Sequence, residues 1–269
     1  MRKIYLLPII FFGILSYGQT GGHNKTPKPT LNRVSSAVKE GRSEQIKSLS
    51  MSGNAVKASN QPQTLSVIIN GLVRQMMIYN LGANTEMNPN FPQQGIMGDY
   101  YQWGRHDAVA TAYTDPGSIA GWNATAYAPN KSWNSGTEAS PVKTLNDPCP
   151  DGFRVPTHNE WESFDSSSSS KYNIGSWVNT GYGGAANFSA AKIYVNNGNT
   201  ITLPAAGTRV YNNNGSLMWR AVNGYYWSST EAPYKNNIQA IAITFDSEKI
   251  YTANAPVRTS GNSIRCISQ

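Results

Sequence analysis

Residues 147–164 read DPCPDGFRVPTHNEWESF, and one helix can be placed in them from the side chains alone. Thr157 followed three positions later by Glu160 is a capping box, in which each side chain meets the other residue's backbone N–H. Pro156 precedes the cap, so the pattern predicts a helix starting at His158. Trp161 and Phe164 stand three apart and share its inner face. The serine run 166–170 forms helix poorly and predicts the helix end in an exposed loop. His158, at the first helical position, is expected to face solvent.

On the C-terminal side, short strands alternate with Asn and Gly turns: ITLPAAG (201–207), GYYWSST (224–230), IQAIAITFD (238–246), KIYTA (249–253) and NSIRCIS (262–268). Ile241, Ile243 and Phe245 alternate, which predicts a half-buried antiparallel strand. The loop Asp246 to Lys249 then returns the chain as a hairpin through Ile250. On the N-terminal side, LSVIIN (65–70) and LVRQMMIYNLG (72–82) flank Asn70-Gly71, the signal of a type I′ hairpin. Between 83 and 147, Pro89, Pro92, Pro116 and Pro129 accompany Trp103, Trp122 and Trp133 with little alternation, which predicts long loops pinned by aromatic rings. One helix between an opening hairpin and a group of closing strands is an α+β pattern. About 200 residues suffice for one core.

The chain opens MRKIYLLPIIFFGILSYGQT, with Arg2 and Lys3 before an apolar run from Ile4 to Leu15 and the small residues Ser16 and Gly18 after it. This predicts a secretory signal peptide at 1–18. The run is shorter than the roughly 20 residues of a spanning helix, so no transmembrane segment is expected in the mature chain. Residues 19–64, rich in Ser, Lys, Asn and Pro without apolar periodicity, are expected to be a flexible, disordered basic tether before a globular domain at 65–269. Of the formal charge of +7, Arg2 and Lys3 of the leader carry +2 and the tether +5, because thirteen basic and thirteen acidic residues follow Ser66. A nucleic-acid protein carries its basic footprint on the folded domain. Nucleic acid is therefore excluded as a partner. Cys149 and Cys266 are the two cysteines, and in an exported chain they are expected to form a disulfide. The alternative is two free, buried thiols.

His23, His106 and His158 are far apart and have no zinc spacing. Asp151, Glu160, Glu162 and Asp165 cluster around the helix, where the capping box and the helix dipole account for them. No loop has the ligand order of an EF-hand, so no metal is expected. No GxSxG elbow, P-loop or GxGxxG occurs, and bridged cysteines offer no nucleophile. No catalytic residue and no cofactor are expected, and the chain reads as a non-enzyme. Its loops hold Tyr, Trp, Asn, Ser and Gly, which recognition surfaces use for rigid contact and adaptable hydrogen bonds and which turns also require.

DPCPDGFRVPTHNEWESF, LPAAGTRV (203–210), GYYWSST and SGNSIRCIS (260–268) occur in that order, preceded by MMIYNLGAN (76–84) and GDYYQWGRHD (98–107). Together they resemble the Fibrobacter succinogenes major paralogous domain, a family of exported bacterial domains, over about Leu65 to Gln269. That family's motifs are in turn similar to those of C-type-lectin-like and formylglycine-generating folds. The resemblance implies a C-type-lectin-like mixed fold with short antiparallel strands, one or two helices, long loops, and N- and C-terminal strands that meet. The Glu-Pro-Asn, Gln-Pro-Asp and Trp-Asn-Asp sugar-reading triplets of calcium-dependent lectins do not occur in the domain, and Cys266 stands alone where formylglycine-generating enzymes need a reactive pair. Trp161, Tyr226, Trp227, Arg258 and Arg265 read as scaffold, with Arg265 expected to pair with a carboxylate at the sheet.

A binding surface is then expected between the motifs, in Tyr211 to Val222, Glu231 to Asn237 and Thr252 to Ala255. Within these stretches Trp219, Tyr234, Lys235, Asn236 and Asn237 are the expected ligand-binding residues, by stacking and hydrogen bonding. The chain is thus expected to be exported to the cell surface or extracellular space, with the periplasm as the other compartment. There it is expected to act in adhesion or other recognition of a glycan or protein ligand, without calcium if the ligand is a sugar. The alternatives are a structural envelope component without a ligand pocket and an uncharacterised enzyme.

Overall fold

The computed structural model describes residues 62–179, 181–233 and 236–269. The signal peptide expected at 1–18 and the tether up to residue 61 lie outside the described residues. The opening hairpin pairs β1 (Thr64–Ile69) with β2 (Leu72–Met77) in register Ile69↔Leu72. Its turn residues Asn70 and Gly71 have φ of 51° and 73°, as a type I′ turn requires. Then come β3 (Tyr100–Gln102), β4 (Ala108–Ala110) and, after a long irregular stretch, β5 (Phe153–Arg154). Buried Trp103 and Trp133 pin this stretch, with ring centroids 5.5 Å apart, while Trp122 is half-buried.

The helix α1 spans His158–Ser167 and carries the full capping box: Thr157 N–H donates to Glu160 Oε2 at 2.8 Å and Glu160 N–H to Thr157 Oγ1 at 3.3 Å. Trp161 and Phe164 are fully buried on its inner face. His158 departs from expectation. It is partly buried rather than solvent-facing, and its Nε2 lies 3.2 Å from Glu162 Oε1.

The remaining strands are β6 (Ser170–Ile174), β7 (Ala191–Asn196), β8 (Asn199–Pro204), β9 (Thr208–Arg209), β10 (Leu217–Met218), β11 (Gly224–Glu231), β12 (Ala240–Phe245), β13 (Ile250–Asn254), β14 (Gly261–Asn262) and β15 (Ile267–Ser268). They form four antiparallel sheets in the orders β1-β2-β15-β5, β10-β9-β14-β3-β4, β11-β12-β13 and β6-β7-β8. Among the described residues the architecture is mostly antiparallel β with one short α-helix, a mixed α+β arrangement. The last strand lies between the opening hairpin and β5, with Ile267 opposite both Met76 and Arg154. Beside it the Cys149–Cys266 disulfide, with Cα atoms 5.9 Å apart, fastens the terminal strand to the loop before α1.

Strand β12 corrects a second expectation. It is buried along its whole length, not on one face. Ile243 and Phe245 pack with Trp161 and Tyr226, whereas Ala240 and Ala242 pack with Trp103 and Trp227. Alanine is small enough to let the two tryptophans close over the second face, so alternating bulk here marks two cores of different depth. Arg265 corrects a third. Its guanidinium meets no carboxylate but donates to Asn80 Oδ1 and to the carbonyls of Met77, Ile78 and Thr202. Strand β2 ends there, so its last carbonyls are free to take up the fork of donors. Burial lowers the Arg265 pKa to about 10, which leaves it charged at neutral pH.

Candidate functional site

The three-stranded sheet β11-β12-β13 turns Tyr226, Ile243 and Phe245 toward the α1 core. Side chains alternate across a strand, so their neighbours point the other way. At the start of β11 this opposite face is open. Tyr225 pairs with Thr244, and Thr244 with Tyr251, so three side chains stand in one row across three strands. Thr244 is buried and forms the floor, Tyr225 is half-buried, and Tyr251 is 46% exposed. Asn254 reaches back along β13 and donates from Nδ2 to Thr244 Oγ1 at 3.2 Å. The result is a groove of about 690 Å³ with aromatic walls and a polar floor. Burial pushes the Tyr225 phenol up to about 12, so it remains a neutral hydrogen-bonding group.

Trp219 extends this aromatic surface, its ring centroid 6.1 Å from that of Tyr225 and tilted by 34°. Its backbone lies at φ 59°, and that of Ala221 at φ 62°. Bulky residues rarely hold such angles. Here the segment is clamped: Trp219 N–H donates to Tyr182 O at 2.6 Å, and Trp219 O accepts from Val222 and Asn223 N–H. Gly207 makes the clamp possible, since a Cβ there would collide with the Met218 carbonyl and the Arg220 amide.

A smaller depression of about 230 Å³ shares Asn223 and Asp246 with the groove and is bounded further on by Val178 and Glu248. Asp246 Oδ1 accepts from the N–H groups of Glu248 and Lys249, which shapes the β12–β13 turn. Among the described residues that line the two depressions there is no Lys, Arg or His. Lys192 lies nearby, buried with its ammonium 5.8 Å from the Trp177 ring centroid. Burial lowers its pKa, and the charge of Asp246 opposes that shift.

The structure does not gather the expected site residues in one place. Trp219 flanks the groove. Asn236 and Asn237 are exposed in the β11–β12 connection, where Asn237 Oδ1 accepts from Asn130 Nδ2 at 3.4 Å. The eight extended residues of β11 span roughly 25 Å and lie between Trp219, before the strand, and the two asparagines after it. Tyr234 and Lys235 lie outside the described residues. The expected stretch Thr252 to Ala255 does contribute, through Thr252, Ala253 and Asn254. Sequence reasoning missed Tyr225 and Tyr251. The alternation in GYYWSST carried the signal for Tyr225, because a buried Tyr226 obliges its neighbour to face the other way.

A separate pocket of about 490 Å³ lies between the loops 102–109 and 123–132. His106 Nδ1 and Asp107 Oδ1 are 3.1 Å apart at its open rim, and the Ser132 hydroxyl donates to Pro129 O. Three of the four acids around α1 have basic neighbours: Glu160 with Arg154 at 2.5 Å, Asp165 with Lys171 at 3.0 Å and Glu162 with His158 at 3.2 Å. Among the described residues no three His, Cys, Asp or Glu side chains gather to hold a metal ion, and no helix is long and apolar enough to cross a membrane.

The family described as "Domain of unknown function (DUF8237)" matches residues 187–267, the stretch from just before β7 to the start of β15. No curated protein and no solved structure matches the chain.

Proposed function

We propose that this chain is an exported binding protein of the cell surface or extracellular space that recognises a glycan, without catalysis, in the groove on the β11-β12-β13 sheet. The observation that carries the reading is the in-register row Tyr225–Thr244–Tyr251, flanked by Trp219 and by the amide side chains of Asn223 and Asn254. Aromatic faces cover the apolar C–H faces of a pyranose ring, and a few amides and hydroxyls orient its hydroxyl groups. A calcium bridge to the sugar needs six to eight oxygen ligands. Asp246 is the one carboxylate lining the groove among the described residues, and its Oδ1 is spent on backbone N–H groups. Binding is therefore direct. A C-type-lectin-like fold is supported by terminal strands that meet, by the clasp at Cys266 and by the long loops between β2 and α1. Export is supported by the leader pattern at 1–18 and by the disulfide.

A glycan array probed with the full-length chain tests this. Bound glycans should be lost in Tyr251→Ala, with affinity falling by about tenfold, as expected for removing a stacking ring. A blank array from folded protein overturns the glycan reading. A surface protein captured through the same groove would put a protein ligand in its place.

A further inference from the structure

We infer that the groove selects an uncharged, linear polysaccharide and holds it mid-chain, a deepening that rests on the glycan reading above. Three observations converge on this class. The first is the arrangement of rings. Tyr225 and Tyr251 are separated by two strand spacings, about 10 Å, with buried Thr244 between them. Trp219 adds a third ring beside Tyr225, with centroids 6.1 Å apart. A single terminal sugar would cover one ring and leave the others bare, whereas consecutive units of a chain can meet all three.

The second is that a further depression adjoins the groove. Asn223 and Asp246 also line the adjoining depression bounded by Val178 and Glu248, so a chain longer than the groove has further concave surface to cover beside it. The third is charge. Asp246 and Glu248 line the path without any lining Lys, Arg or His, so uronic, sulfated or sialylated chains would bring like charges together in a partly desolvated site. A polycation is disfavoured from the other side. Asp246 spends its Oδ1 on the backbone N–H groups of the β12–β13 turn, which leaves Glu248 as the one other carboxylate among the described lining residues for repeated amines to meet.

The test is affinity electrophoresis and calorimetry on the full-length chain with neutral β-glucan, xylan and mannan, with polygalacturonate, alginate and heparin, and with chitosan. For any neutral polymer that binds, its oligosaccharides from monosaccharide to hexasaccharide follow. The expected result is binding of a neutral polymer, insensitive to salt, with affinity rising at least tenfold from monosaccharide to hexasaccharide. Tyr251→Ala should lose about tenfold, and Trp219→Ala should weaken the hexasaccharide more than the disaccharide. Tyr113→Ala, an exposed ring outside the groove, should change nothing and controls for surface stickiness. Tyr251 is on an exposed edge strand, and its variant's unfolding midpoint reports whether the fold persists. An anionic polymer or chitosan bound in a Tyr251-dependent manner, or equal affinity for monosaccharide and hexasaccharide, overturns this inference and leaves glycan recognition standing. Absence of binding to every polymer and oligosaccharide overturns both.

Discussion

Asp99 sits with its carboxyl group against Gly82, at the place a Cβ would occupy, and no basic side chain pairs with it among the described residues. Burial raises its pKa from 3.8 to about 6. A carboxyl whose pKa is higher in the fold than in the unfolded chain contributes stability below about pH 4, and that contribution is lost as pH rises through about 6. The group is only half-buried, and water screening limits the cost of the ionised form to about 1 kcal/mol. Asp99→Asn is therefore expected to be about 1 kcal/mol more stable than the parent near neutral pH and no more stable near pH 4. Urea midpoints measured across that range check this, and equal midpoints near neutrality would contradict it. At this scale the sequence was informative where a residue acts through near neighbours, as Trp161 and Phe164 do one turn apart. It was misleading for Arg265, whose partners come from Asn80, the end of β2 and β8. Nothing within ten residues of Arg265 announces a set of free carbonyls.

The helix α1 shows how much an element can owe to four residues. Glu160 closes the capping box and also pairs with buried Arg154, so one carboxylate ties the helix start to β5. Thr157→Ala is expected to cost about 1 to 2 kcal/mol, and Thr157→Ser to restore most of it. Chemical denaturation of the two variants checks the direction, and a neutral Thr157→Ala would mean that tertiary packing alone holds the helix end. Capping boxes and Asn-Gly turns were legible because each depends on backbone geometry within a few positions. The strand β12 was not, since its pattern of large and small residues fits both a half-buried strand and one held between a deep and a shallow core. Only the closure of Trp103 and Trp227 over Ala240 and Ala242 distinguishes them.

Across the whole molecule, the disulfide spans 117 residues and joins the last strand to the segment that leads into α1. Closing a loop of that length removes roughly 5 kcal/mol of unfolded-state entropy, a large part of the 5 to 15 kcal/mol that holds a typical domain. Cys149→Ala with Cys266→Ala should shift the urea midpoint down by a corresponding amount, and reduction of the parent should reproduce the shift. An unchanged midpoint would mean that the pairing of β15 with β2 and β5 suffices. By itself the sequence determined the class of the fold, the opening hairpin, the capped helix and the pairing of the two cysteines. These rest on local backbone preference, on short-range spacing and on a count of two. Only the tertiary structure decided where the candidate site is. Tyr225, Thr244 and Tyr251 are separated in the chain by loops, and they form a row because two hairpins set their register and one face of their sheet is left uncovered where β11 begins. Register and coverage are outcomes of long-range packing, which no stretch of sequence contains.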